Sequence, residues 1–365
     1  MRVDQYLPSI VPHDAISNHT LQLRKALRAA GYQSDIYAEA IGGPLRREAR
    51  PGAEAKAAGA RPAGERAVIY HASTDSDMAG WLASIAAGGE VLLADYHNIT
   101  PASFFARWLP DVARHMEVAR EQLAELAPAV RLGMADSRYN EEELIELGYR
   151  RTATCPLLVD LSEYHQAPDH RALARLRRAR DRGGARWLFV GRLSPNKCQH
   201  DVIAAFAVYR RLFDPKAHLT LVGGGTAPRY ITAVRQMMAD LELGDSVELL
   251  DGVGFPVLLA QFAAADVFVC LSEHEGFCVP VLEAMELGVP VVAYAAAAVP
   301  DTVGDAGVLL ADKDPLTVAV EVDGVLGDES RRLALIAAGR ARAASFSLER
   351  TAPAQVAAVA SALAA

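Results

Sequence analysis

Cysteine is scarce in this chain: four among 365 residues, at Cys155, Cys198, Cys270 and Cys278, with no pair at metal-ligand spacing. That excludes a disulfide framework and fits reduced thiols in a cytoplasmic protein. No apolar run reaches the length of a bilayer span. The N-terminus, Met1-Arg-Val-Asp-Gln-Tyr6, reads as the start of a strand rather than a cleaved leader. A basic excess is also missing. The net charge of −8 argues against nucleic acid as a partner. Finally, no G-x-G-x-x-G follows the first strand and no ribose-binding acid follows it, which disfavours a nicotinamide dehydrogenase.

What is present is a 51% hydrophobic composition, enough to fill the cores of two domains. Apolar strands alternate with amphipathic helical segments, the pattern of parallel α/β architecture. In the first half the spacing predicts strands near 2–7, 33–38, 67–71, 91–95, 131–135 and 152–155, with a helix at about 18–30 ending at Gly31. The segment Gly43 to Arg66 is rich in Gly, Ala, Arg and Pro and reads as a poorly structured insertion. The second half is a cleaner series, with strands at 187–190, 218–222, 247–250, 267–270, 291–294 and 308–310 and final helices at 329–344 and 347–364. An arginine-rich stretch (Arg171, Arg175, Arg177, Arg178, Arg180, Arg182) has little apolar face. We therefore expect a domain over 1–160, a connection over 161–183, a second domain over 184–345, and a C-terminal helix, 346–365, returning to the first. Two doubly wound, Rossmann-like parallel-sheet domains facing a central cleft would place their strand ends around it, where such folds bind ligands.

The most informative stretch is Ser272-Glu-His-Glu-Gly-Phe-Cys-Val-Pro-Val-Leu-Glu-Ala-Met285. It follows the apolar run Asp266-Val-Phe-Val-Cys270 and turns through Gly276 into a helix with Pro280 in its first turn. Such a turn aims free N–H groups at the carboxyl edge of the sheet, where anions bind. Glu275 in the loop and Glu283 within the helix suit the two ends of an extended ligand with a charged middle, such as a nucleotide-sugar. A second cluster, Val190-Gly191-Arg192-Leu-Ser-Pro-Asn-Lys197, follows another strand and offers two cations at the same edge, suited to a diphosphate.

These segments resemble the retaining glycosyltransferases of family 4, which have the two-domain GT-B fold. The resemblance rests on Gly191-Arg192-Leu193…Lys197, Leu221-Val-Gly-Gly-Gly225, Ala265-Asp-Val-Phe-Val269, and above all Glu275-Gly-Phe-Cys-Val-Pro-Val-Leu-Glu283-Ala-Met, which is similar to that family's E-x7-E signature. It is strong over about 187–310 and weak over most of the first domain. It implies that Glu275 holds donor-sugar hydroxyls and that the backbone of Gly276, Phe277, Cys278 and Val279 binds sugar and diphosphate. By the same resemblance Glu283 binds the ribose, Gly191, Arg192 and Lys197 face the leaving diphosphate, and Gly252 and Val253 lie near the base.

In the first domain, Tyr96-His97-Asn98 follows the strand Val91-Leu-Leu-Ala-Asp95, and the resemblance puts His97 near the donor sugar as a positioning or electrostatic group. The first loop and helix read Asp14-Ala15-Ile-Ser-Asn18, where relatives of that family have a Gly-Gly pair, so Asp14, Ala15 and Asn18 are expected at phosphate or acceptor, together with Asn98 and Arg138 at the cleft edge. Asp75-Ser-Asp77 imitates a metal motif, but Asp75 is also a natural helix cap, and no metal or other cofactor is expected. The activity implied is retaining transfer of a hexose-type sugar from a UDP- or GDP-sugar to a small-molecule, lipid or glycan hydroxyl, with peripheral membrane attachment left open. An epimerase or hydrolase on the same scaffold, or a non-catalytic nucleotide-sugar-binding subunit, are the alternatives.

Overall fold

The computed structural model describes residues 1–58, 66–181, 183–225 and 227–364. The chain divides into two compact units. Unit 1 holds Met1–Ala106, Pro110–Asp160 and Phe346–Ala365, and unit 2 holds Arg107–Leu109 and Leu161–Ser345. Arg182 and residues 59–65 of the expected insertion lie outside the described residues.

Unit 1 contains strands β1 (Arg2–Ile10), β2 (Ile36–Ile41), β3 (Arg50–Pro51), β4 (Arg66–Ala72), β5 (Val91–Tyr96), β6 (Val130–Ala135) and β7 (Thr152–Thr154), with helices α1 (Ala15–Ala29), α2 (Gly52–Ala58), α3 (Ala79–Ala87), α4 (Pro110–Leu126) and α5 (Arg138–Glu146). The sheet order is β3-β2-β1-β4-β5-β6-β7, every pairing parallel. Central strands buried on both faces need apolar residues throughout, which is why Val68, Ile69, Leu92 and Leu93 are nearly inaccessible.

The segment from Gly43 to Arg66 is a correction. It carries a 3-10 turn at Gly43–Leu45, the edge strand β3 on β2, and α2. Pro51 is tolerated because an edge strand has no further neighbour needing its missing N–H. Gly52 packs closely on Met78, whose Sδ would lie 2.8 Å from a Cβ placed there and would have to shift to admit one. Helix α1 starts earlier than the periodicity suggests because Asp14 caps it, and β2 starts later, at Ile36.

Unit 2 contains α6 (His170–Arg180), then β8 (Arg186–Val190), α7 (Gln199–Leu212), β9 (His218–Val222), α8 (Pro228–Asp240), β10 (Val247–Leu250), α9 (Phe255–Ala264), β11 (Val267–Cys270), α10 (Val279–Glu286), β12 (Val291–Tyr294), α11 (Val299–Val303), β13 (Val308–Leu310), α12 (Pro315–Gly327) and α13 (Glu329–Ala344). Its parallel sheet runs β10-β9-β8-β11-β12-β13. The strand order reverses between β8 and β11, so the loops leaving these neighbours diverge and open a crevice at the carboxyl edge. In α6, Leu176 packs against Ala260 and Ala264 of α9. Trp108 and Leu109 pack on the unit 2 core, with the Trp108 ring 5.3 Å from Tyr230.

The last helix, α14 (Leu348–Ala364), belongs to unit 1. It packs on α1 and buries Val359 and Ala362 beside Val3, Leu23 and Leu27. Fully burying a leucine contributes about 1.5–3 kcal/mol, so this helix closes a substantial part of that core. Among the described residues no helix is long and apolar enough to cross a membrane.

Candidate active site

The loops after β8 and β11 carry most of the residues singled out in unit 2, and they flank the reversal in strand order. Their conformation is set by backbone constraints. Gly191 has φ 154° and Gly223, at the end of β9, has φ 150°. A Cβ on Gly223 would sit 2.1 Å from the Gly191 carbonyl oxygen, so only glycine allows these two strand ends to touch. Cys198 and Cys278 adopt left-handed φ values of 51° and 69°, and each immediately precedes a helix.

Asn196 ties the two loops together. Its carbonyl accepts from the Glu273 N–H at 2.9 Å, and its side-chain amide donates to the His274 carbonyl at 3.1 Å. This brings the Lys197 ammonium onto the Glu275 carboxylate as an ion pair. Glu275 is buried and Lys197 is half-buried. Gly276, Phe277 and Cys278 lead into α10, with Pro280 at its start. Among the described residues no acceptor takes the N–H groups of Gly276, Cys278 or Val279. These donors and the helix dipole give the turn a positive potential. Phe277 is held by its carbonyl, which accepts from the Thr302 hydroxyl.

Arg192 stands apart from this pair. It is exposed, its carbonyl accepts from Gln199 at 2.8 Å, and its guanidinium makes no ion pair among the described residues. Gly252, with φ 64°, and Val253 lie in the loop between β10 and α9. Glu283 is buried inside α10. Oε1 accepts from the Tyr164 hydroxyl at 2.5 Å, while Oε2 has no partner among the described residues. Burial pushes its carboxyl up to about 7, against the lowering effect of the Tyr164 hydrogen bond.

Unit 1 contains a buried polar network centred on His97, whose side chain is fully enclosed. His97 Nδ1 meets both Asp136 oxygens at 3.0 Å, and its Nε2 lies 2.8 Å from His71 Nδ1. His71 Nε2 meets Gln5 Oε1 at 2.9 Å, an amide orientation supported by Gln5 Nε2 reaching the Ser34 hydroxyl. His71 therefore donates from Nε2 and accepts at Nδ1, which requires His97 to donate from both nitrogens, as an imidazolium. Burial alone would lower His97, but Asp136 and Asp95 outweigh it and hold the group at about 9. Burial pushes His71 well below its usual value, consistent with a neutral ring.

The ligand atoms of His19, His71, Asp95 and His97 converge closely enough to suggest a metal. The hydrogen bonding opposes it. The Leu158 N–H donates to His19 Nδ1 at 3.0 Å, so His19 Nε2 carries the proton that it shares with Asp95 at 2.9 Å. A protonated nitrogen is no ligand.

The other unit 1 residues have structural partners. Asp14 caps α1, accepting from the Ser17 amide and hydroxyl at 2.9 Å, with His13 before it at φ 60°. Ala15 begins the helix and Asn18 is exposed on it. Asn98, at φ 71°, donates to Asn140 at 2.8 Å, and Arg138 is exposed at the start of α5. Asp75 is not a helix cap. It accepts from His115 at 2.7 Å, and the Met78 amide is taken by Ser76 instead. Sequence reasoning missed Asn196, Tyr164, His71 and Asp136. A carboxylate directly after a strand, as at Asp136, was the available signal, whereas nothing near Tyr164 points to Glu283.

Residues 175–342, inside unit 2, match the family model described as Glycosyl transferases group 1. A D-inositol 3-phosphate glycosyltransferase of Geodermatophilus obscurus is 35% identical over 218 residues, 57% of this chain and 47% of that protein. A GDP-mannose-dependent alpha-(1-6)-phosphatidylinositol monomannoside mannosyltransferase of Mycobacterium tuberculosis is 36% identical over 184 residues, 47% of this chain and 46% of that protein. The chain thus spans about half the length of these curated relatives. Among solved structures, Anabaena Alr3699/HepE in complex with UDP has TM-score 0.76 at 20% identity, covering 99% of this chain and 100% of that one. Sucrose-phosphate synthase from Thermosynechococcus elongatus has TM-score 0.76 at 20% identity, with both chains fully covered. The chain shares with these structures the α/β fold of two Rossmann-like parallel sheets, the GT-B type that the sequence led us to expect.

Proposed function

We propose that the chain is a retaining, metal-independent glycosyltransferase that moves a hexose-type sugar from a UDP- or GDP-sugar to an acceptor hydroxyl. The observation that carries this reading is the convergence, at the strand-order reversal of unit 2, of the Lys197–Glu275 pair with the unoccupied amides of Gly276, Cys278 and Val279. Glu283 lies in the helix that follows. Its support is the match of this same segment to the group 1 family model.

In this reading the turn and Lys197 bind the diphosphate, Arg192 adds charge from the open side, Glu275 orients the sugar, and Glu283 receives the ribose. The rate gain comes from preorganised positive potential at the departing diphosphate. No residue of the site suggests a covalent intermediate. The acceptor proton passes to the leaving phosphate on the same face, which retains the anomeric configuration. Within unit 1, His97 is a fixed charge and not a proton-transfer group, since both nitrogens are engaged. The names of the relatives carry inositol phosphate and phosphatidylinositol monomannoside, so an inositol-bearing acceptor is the first to assay.

The test is a thermal-shift panel of UDP-, GDP-, ADP- and TDP-sugars, followed by NMR of the product's anomeric centre. A ligand at 100 times its Kd stabilises the folded state by about 2.7 kcal/mol. No shift with any of the four would overturn the assignment, and an inverted product would overturn retention.

A further inference from the structure

Tyr164 lies in the 3-10 turn Leu161–His165, outside every motif used above. Its hydroxyl donates to Glu283 Oε1, and its ring meets Phe255 edge-on with centroids 5.2 Å apart. Phe255 opens α9 directly after Gly252-Val253-Gly254. One side chain therefore joins the loop assigned to the base and the acid assigned to the ribose. Glu283 is only 8% exposed, and its second oxygen is buried without a partner among the described residues. A buried acceptor left unmade is costly, and this one becomes useful only when a ligand donates to it.

We propose that Tyr164 is a positioning residue of the nucleotide site: it engages Glu283 Oε1 and so reserves Oε2 for the hydroxyls of a bound ribonucleoside diphosphate. This rests on the donor-site reading above. Charged groups on the elements around Glu283 are engaged elsewhere. His165 of the same turn pairs with Glu286 at 2.7 Å, and Lys197 pairs with Glu275 in the loop before α10. Arg340 of α13 lies against Gly288, and Arg342 donates to the carbonyls of Asp301 and Thr302 in α11. Against the burial that raises Glu283, the Tyr164 hydrogen bond is what favours its ionised form.

A nucleoside hydroxyl bonds more strongly to a carboxylate than to a carboxylic acid. Nucleotide affinity should therefore fall as pH drops through about 7. Without the tyrosine hydroxyl the carboxyl rises further and the fall begins at higher pH. The experiment is calorimetric titration of UDP, GDP, ADP and TDP into the intact chain, wild type and variants, from roughly pH 5.5 to 9. Tyr164→Phe keeps the ring on Phe255. It should weaken binding about tenfold at neutral pH and move the pH midpoint upward, with the turnover effect falling on donor KM rather than kcat. In a Glu283→Gln background only the pH dependence of the nucleotide's own phosphate, at about pH 6, should remain, and adding Tyr164→Phe should leave that residual profile unchanged.

An unchanged Kd and midpoint in Tyr164→Phe would overturn the inference while leaving the donor site standing. If wild type binds none of the four nucleotides, or Glu283→Gln binds like wild type, the donor-site reading itself fails and the inference fails with it.

Discussion

Replacing Lys197 by alanine separates the electrostatic part of the proposal from the structural part. The ammonium is 17% exposed and the Glu275 side chain 8% exposed, so the substitution leaves a buried carboxylate without its counter-charge. One-sided breakage of a buried pair costs about 3–5 kcal/mol. Partial exposure of the lysine places this case at the low end, about 3 kcal/mol. In a unit of this size that lowers Tm by roughly 6–12 °C. If the ammonium also stabilises a departing diphosphate, turnover should fall by ~10²–10³ at temperatures where the variant is fully folded. Circular dichroism melts and a nucleotide-release assay read the two effects separately. The double variant Lys197→Met, Glu275→Gln removes both charges, so it should regain most of the lost Tm without regaining turnover. Turnover within tenfold of wild type in Lys197→Ala, or recovered in the double variant, would refute the assignment.

Asp136→Asn removes the carboxylate that holds His97 up at about 9. A group raised above its unfolded value of about 6.5 contributes stability that is complete below that pH and lost as pH rises through about 9. The variant should thus be most destabilised in acid and converge on wild type in alkali, as denaturant titrations across pH will show. Gly223→Ala forces a Cβ to 2.1 Å from the Gly191 carbonyl and should cost at least about 3 kcal/mol, or prevent folding; an unchanged melt would refute the close approach. Asp75→Asn and chelation with EDTA should each leave turnover within about twofold of the untreated protein if, as proposed, the cationic side chains and the α10 turn carry the phosphate charge; a chelator-sensitive rate would return Asp75 and Asp77 to consideration.

The strands of unit 2 were legible almost residue by residue, because each is a short and mostly apolar run, wholly buried in β11 and nearly so in β12. The two-residue β3 and the helix α2 were not, since an Ala, Gly and Arg-rich segment carries no period and is ordered by pairing with β2. The Glu275-to-Glu283 stretch announced itself by local order alone: strand, glycine turn, proline, helix. Its partners did not. Tyr164 is 119 residues from Glu283, and only the fold joins them. His71 looked like part of a hydrophobic strand, and its role emerges only when β4 and β5 lie side by side in register, His71 opposite Asp95. Arg192 shows the limit of adjacency in sequence: five positions from Lys197, it points charge into solvent rather than at the pair.

Unit 1 is discontinuous in the chain, and this shapes how the protein is made. Its segments Met1–Ala106 and Pro110–Asp160 leave the ribosome with the stripe around Val3, Leu23, Ala67 and Leu132 still lacking the cover that α14 supplies. All of Leu161–Ser345 is then synthesised before that helix appears, an interval on the order of 10–40 s at cellular elongation rates. Unit 2 can therefore close first, while the apolar flank of the earlier unit stays open to water until its last helix arrives.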